Sequence, residues 1–279
     1  EDIIGLAATL SLRADFRLDS DGLAANLAAT RLDGPGGDLA LRLSYDRATT
    51  LFDLEATAAE PANGVVANAL SIEGTPALQA RLAGKGVLDD LAISLGVDVG
   101  AARLIEGNLT LARQALGRNI TANLNGEIAG LLPAAYRPFF AGYSTLSLSG
   151  LLRDTGGVTL SDLSVRTAEL GITGQLDTTD DGFPRQANLT IAVGNAGSSR
   201  IQLPFGQDVT VTSARVNLQY GQSTDGSYTL SFAALDLRLP GYRIGKVAGD
   251  MQGLALNLDD PALRQLSGII TATTQNLQA

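Results

Sequence analysis

The sequence predicts an all-β protein, a long antiparallel sheet interrupted by a few short helices. Three observations predict it. Apolar and polar residues alternate with a period of two over most of the chain. Asp-Gly, Gly-Gly and Asn-Gly chemistry recurs in the short gaps between these runs, the signature of hairpin turns. The composition is 45% hydrophobic but only 5% aromatic, without Trp and with 32 Gly, so the apolar material is Leu, Ala, Val and Ile. That profile suits a repetitive sheet better than a globular enzyme.

The runs follow in order. From Leu6 to Leu18 the even positions are Leu6, Ala8, Leu10, Leu12, Ala14, Phe16 and Leu18, with Ser11, Arg13, Asp15 and Arg17 between them. Alternation of this kind buries one row and wets the other, and the run would span about 40 Å as a strand. Leu23, Ala25, Leu27 and Ala29 follow the turn 19–22, and Leu39, Leu41, Leu43 and Tyr45 follow the Gly-rich stretch 33–37. Leu91, Ile93, Leu95, Val97 and Val99 form another row, as do Ile120, Ala122, Leu124, Gly126 and Ile128. Leu146 with Leu148, Leu170 with Ile172 and Leu176, and Ala187 with Leu189, Ile191 and Val193 come later. Ala214, Val216, Leu218 and Tyr220 are expected to face Tyr228, Leu230 and Phe232 across the turn 221–226.

Three stretches break the period. Glu60-Pro61, Leu132-Pro133 and Asp260-Pro261 each place a proline where a first helical turn begins. Helix is therefore expected only near 61–70, with Val65, Val66, Ala69 and Leu70 on one face, near 131–140, and near 260–266, with Leu263 and Leu266. No low-complexity linker divides the chain, which reads as one continuous β structure over 1–279. Beginning at Glu1, it reads as a piece of a longer polypeptide.

The chain carries 20 Lys and Arg against 29 Asp and Glu, a net charge of −9, without a basic cluster. No nucleic-acid partner is expected, nor direct attraction of a polybasic segment to anionic lipid. The absence of Cys and His removes thiolate catalysis, imidazole triads and the usual zinc sites. No catalytic residue, metal site or cofactor is expected. Paired acids remain: Asp19 and Asp21, Asp33 and Asp38, Asp89-Asp90, and Asp180-Asp181. Their expected role is turn chemistry, an aspartate capping backbone amides ahead of a glycine. Asn108, Asn119 and Asn188 match a glycosylation acceptor pattern but sit inside strand-like runs, as polar residues on a wet face.

The apolar face is the remaining functional candidate. Strand parity puts Leu10, Leu12, Leu41, Leu43, Ile93, Leu95, Leu124, Leu148, Ile172, Leu189 and Leu218 on one face, lining one shared interior. A sandwich core explains alternation equally well on composition alone. A parallel β-helix of the adhesin or passenger type, a structural protein, is the alternative from another class; it needs a steady coil-length period that the sequence lacks. A membrane barrel needs aromatic girdles, which six scattered Tyr and seven Phe do not supply.

Two segments add a resemblance. Residues 60–76 run into the stretch 78–90, which contains Gly84-Lys85-Gly86-Val87-Leu88-Asp89-Asp90. Residues 124–140 lead into Leu146-Ser147-Leu148-Ser149-Gly150 and on to Leu170–Asp177 and Asp181–Pro184. Both are similar to the TamB (translocation and assembly module) family in its alphaproteobacterial form. That family lies within the AsmA-like group related to bridge-like lipid transfer proteins. The likeness runs from about Leu51 to Leu258 and corresponds to a middle segment. The resemblance implies a curled, U-shaped (β-taco-like) sheet with a hydrophobic groove. It implies a periplasmic protein, anchored in the inner membrane by an N-terminal segment not present here. Phospholipid acyl chains would be the groove's partners, conducted between inner and outer membranes. A TamA-like outer-membrane partner, and support for outer-membrane β-barrel assembly, would involve parts outside this segment.

Overall fold

A computed structural model of the chain describes residues 8–34, 36–69, 72, 74–132, 136–194, 200–203, 208–221, 226–256 and 262–278. The chain forms two compact units, Glu1–Pro133 and Ala134–Ala279. The division falls at the second proline-marked break. Among the described residues there are eighteen strands, and every pairing between them is antiparallel. A parallel β-helix is thereby excluded as the fold.

Unit 1 is a meander of eight strands: β1 (Leu10–Leu18), β2 (Gly22–Arg31), β3 (Asp38–Asp46), β4 (Leu51–Glu60), β5 (Leu78–Val87), β6 (Asp90–Val99), β7 (Ala102–Gln114) and β8 (Gly117–Gly126). Each pairs with the next. Residues directly opposite in an antiparallel ladder share a face, so the register can be read straight across the sheet. One row runs Ala14, Leu27, Leu41, Ala56, Leu82, Leu95, Gly107, Leu124, and its neighbour Phe16, Ala25, Leu43, Leu54, Gly84, Ile93, Leu109, Ala122. The other face carries Arg13, Ala28, Ala40, Thr57, Arg81, Gly96, Glu106 and Asn125 in a single row. One side of the sheet is apolar and the other wet, across all eight strands.

Unit 2 repeats the plan with β9 (Ser144–Arg153), β10 (Val158–Arg166), β11 (Leu170–Thr178), β12 (Pro184–Gly194), β15 (Ser213–Tyr220), β16 (Ser227–Leu239), β17 (Tyr242–Leu256) and β18 (Gln265–Gln278). Two short strands, β13 (Ile201–Gln202) and β14 (Thr210–Val211), pair with each other, and β14 reaches β16 at Arg238. One apolar row runs Leu148, Leu163, Gly174, Leu189, Leu218, Leu230, Met251, Ile270. The next runs Leu146, Val165, Ile172, Ile191, Val216, Phe232, Gly249, Ala272. Ala214, Val216, Leu218 and Tyr220 stand opposite Ala234, Phe232, Leu230 and Tyr228, the hairpin expected from their parity. The all-β antiparallel expectation holds, but the curled, U-shaped sheet with a groove does not: each unit is an open sheet without strong curl.

Helical structure is sparse. The first proline-marked break contains α1 (Val65–Ala69), and the second contains two single 3-10 turns, Ala129–Leu131 and Arg137–Phe140. The third expectation is corrected. Asp260 and Pro261 lie outside the described residues, Leu263 sits in a turn, and Leu266 is already in β18. Leucines three apart fit a helix, but Leu266 also opens an even-numbered run with Ile270 and Ala272 whose backbone pairs continuously with β17. Fourteen residues rich in Thr and Ile favour the strand.

Candidate functional site

The expected lining residues fall into two groups. Leu10, Leu12, Leu41, Leu43, Ile93, Leu95 and Leu124 share the apolar face of unit 1. Leu148, Ile172, Leu189 and Leu218 share the apolar face of unit 2. None of the eleven is buried: Leu10 and Leu12 are exposed and the other nine are half-buried. A leucine in the middle of a sandwich core touches side chains on all sides and loses nearly all its accessible surface. Here the central rows lean on their sheet neighbours and leave one side open.

Glycines shape that surface. A Cβ at Gly107 would come within 2.9 Å of Leu124 Cδ1, and one at Gly84 within 2.6 Å of Ile93 Cγ1. The large side chains therefore lie down over glycines on the next strand instead of standing up from the sheet. In unit 2, rings do the same: Phe232 lies over Gly249, and the Tyr228 hydroxyl crosses Gly253 and Gly268 to donate to the Ser267 carbonyl at 3.1 Å. The result is a low, smooth apolar surface.

Burial concentrates at strand ends. In unit 1, Leu78, Val97 and Ile105 are buried at one end of the strands, Val97 opposite Ile105 and Leu78 opposite Glu60, with Ala67 of α1 and the Glu60 carboxylate. Glu60 accepts from the backbone N–H of Val66 at 2.8 Å and of Ala67 at 2.6 Å, which ties the helix to β4. Gly64 is glycine because a Cβ there would lie 2.2 Å from the Glu60 carboxyl carbon. Val65 and Val66 then face Leu10, Ala29, Ala58 and Leu78 across an apolar hollow. In unit 2, Ala187, Tyr220 and Ala255 are buried together with Leu176, Leu189, Leu218 and Tyr228 packed against them. Arg264 closes that end, its guanidinium 4.1 Å from the Phe183 ring and 2.5 Å from Asp181. Burial pushes the Tyr220 hydroxyl up from its ordinary pKa.

The acids do turn work: Asp19 accepts from the N–H of Asp21 and Gly22 at 3.0 and 3.1 Å, and Asp33 from the N–H of Thr9 at 2.7 Å and from Arg31. Hydrogen bonds from Arg17 and Arg31, respectively, hold these carboxyls below their ordinary pKa. Asp89 pairs with Arg118 at 2.8 Å. Among the described residues no group of three or more acids is placed to hold a metal ion. Asn108, Asn119 and Asn188 all fall on the wet face by register.

Two arginine constellations escaped the sequence reading. Arg153 in β9 reaches Asp177 in β11 and Thr159 in β10 at 2.6 and 2.7 Å and also donates to the Thr178 carbonyl. Burial alone would raise Asp177, but hydrogen bonds from Thr159 and Arg153 outweigh it and bring the carboxyl below its ordinary value. In β16, Asp236 adopts φ 49 and accepts from Arg243 Nε at 2.7 Å and from the Arg200 guanidinium, while Arg238 Nε stands at 3.9 Å. Arg243 first, and Arg200 second, lower its pKa. The local signal was available: apolar residues change from even to odd positions at Asp236, from Phe232 and Ala234 to Leu237 and Leu239. Alternation breaks where a residue enters the left-handed region, which Asp tolerates better than most. No family model matches the chain, and no curated protein or solved structure matches it significantly.

Proposed function

We propose that the chain is a non-enzymatic segment of a periplasmic lipid conduit, whose apolar sheet face carries phospholipid acyl chains between the inner and outer membranes. The observation that carries this reading is the half-exposure of the central apolar rows: Leu41, Leu95 and Leu124 in unit 1, Ile172, Leu189 and Leu218 in unit 2. Each row is continuous across eight strands, and its large side chains keep part of their surface accessible. An exposed apolar face of that extent costs solubility unless something apolar occupies it. Acyl chains suit it because Leu, Ala, Val and Gly form a surface without specific polar contacts, along which a hydrocarbon can slide. The resemblance of residues 51–258 to the TamB family supports the same reading independently of burial. It adds inner-membrane anchoring, a TamA-like partner and β-barrel assembly as functions of parts beyond this segment.

The test is Leu124→Arg and Leu189→Arg. In a sealed core either change buries an unpaired charge at a cost of several kcal/mol. On an open face the guanidinium reaches water or a lipid phosphate and the fold survives. Both variants are expected to keep their melting profile within a few degrees and to lose the phospholipid that co-purifies with the parent, measured by mass spectrometry of a lipid extract. Unfolding of both variants supports a sealed sandwich; unchanged lipid in folded variants removes the conduit.

A further inference from the structure

We infer that the tip of the β16–β17 hairpin is a docking element for the phosphate of a membrane phospholipid headgroup, held by Arg200, Arg238 and Arg243. Arg238 and Arg243 are direct cross-strand partners. Like charges directly opposite destabilise a sheet unless an anion lies between them. The only anion paired with them among the described residues is Asp236, which Arg200 also engages. Three guanidinium groups share one carboxylate, a local excess of two positive charges, enough to hold the single negative charge of a phosphodiester headgroup or the second charge of phosphatidic acid. All three arginines remain partly exposed, at 33%, 44% and 50% of their side-chain surface, so a headgroup can reach them. Guanidinium forks suit phosphate oxygens in geometry as well as charge.

The next pair outward says where the phosphate comes from. Leu239 and Tyr242 are also cross-strand partners, 36% and 54% exposed, joined by Pro240-Gly241 with Gly241 at φ 80. Alternation puts this apolar pair on the opposite face from the arginine pair. An exposed leucine and tyrosine at a tight tip, one residue from paired arginines, match the layering of a membrane interface. The aromatic and apolar groups enter the headgroup layer and the cations stay at the phosphates. A free phosphate ion needs no such pair. The chain's net charge of −9 does not cancel the site, since in physiological salt charges beyond about 8–10 Å are screened. The inference rests on the lipid reading above and gives it a headgroup contact, which the apolar rows cannot provide.

The experiment is co-sedimentation of the full chain with vesicles of phosphatidylcholine alone, and with about a quarter phosphatidic acid. Binding is expected to be tighter to the second. In Arg238→Gln/Arg243→Gln it should weaken on the order of tenfold toward phosphatidic acid vesicles, given the usual contribution of each basic residue near an anionic surface. Leu239→Ser/Tyr242→Ser should weaken binding to both vesicle types. Inorganic phosphate, at the concentration of lipid phosphate used, should leave the wild type bound. Wild-type binding by the arginine variant overturns the inference, and so does complete displacement by inorganic phosphate, which marks a site for the free ion. Leu189→Arg separates this inference from the conduit. It is expected to keep vesicle binding while losing co-purified lipid, and the reverse pattern in that variant overturns the headgroup site alone.

Discussion

The two units carry the same amphipathic ladder and close its ends by different chemistry. In unit 1 a short helix is tied down by a buried carboxylate on two backbone N–H groups, and aliphatic side chains line the hollow beneath it. In unit 2 an arginine stacks on a ring and pairs with an aspartate beside a buried tyrosine. The rows between the ends are half-open in both. The alternating pattern therefore specifies a face, while the burial that anchors each sheet comes from whatever the local connection offers.

That contrast predicts a graded response to substitution. Leu78→Ala, at 4% exposure in the closed end of unit 1, should cost about 3 kcal/mol of stability, because a fully packed leucine leaves a cavity. Leu124→Ala in the open row should cost about 1 kcal/mol, since only part of its surface was withdrawn from water. Chemical denaturation measures both, and equal costs would erase the distinction between closed end and open row. In unit 2, Arg153→Met should cost about 2 kcal/mol by stranding Asp177, whose side chain is only 23% exposed. Hydrogen exchange should show the loss in β9 to β12 and not in β1 to β8.

Acid sharpens the same comparison. The Asp177 carboxyl lies below its ordinary value of 3.8 in the folded chain. A depressed carboxyl stabilises the fold above the unfolded pKa, and that contribution disappears as pH falls through the lower folded value. As pH falls through the ordinary carboxyl range and below it the β9–β11 region should lose stability, and Asp177→Asn should flatten that part of its acid profile. An unchanged profile would show that the ion pair contributes nothing. The smallest effect is expected in β1, whose side chains are exposed: Leu12→Ser, at 66% exposure, should shift stability by no more than about 0.5 kcal/mol.

The apolar rows were legible because a period of two assigns every second residue to one face, and a hairpin gap of a few residues leaves little freedom of register. Val216 opposite Phe232 and Leu218 opposite Leu230 follow from the spacing alone. The end closures were not legible. Arg264 meets Asp181 across 83 residues and Arg153 meets Asp177 across 24, and neither contact has a local pattern to announce it. The helix expected around 260–266 shows the limit of punctuation. A proline can start a helix, but it says nothing of how soon a strand resumes, and Gln265 already pairs with Leu256.

A meander in which, among the described residues, β1 to β8 each pair with their chain neighbours also has a mechanical consequence. Tension applied to the two ends of such a ladder loads the hydrogen bonds of one edge hairpin at a time, like the teeth of a zipper, and does not shear a whole strand at once. Each strand released lengthens the chain and leaves the remaining strands paired, because stability is a sum of nearest-neighbour terms. Unit 1 should thus yield to stretching in small, recoverable steps at low force. The compliance would be graded from the exposed β1 toward the strand ends anchored by Leu78, Val97 and Ile105.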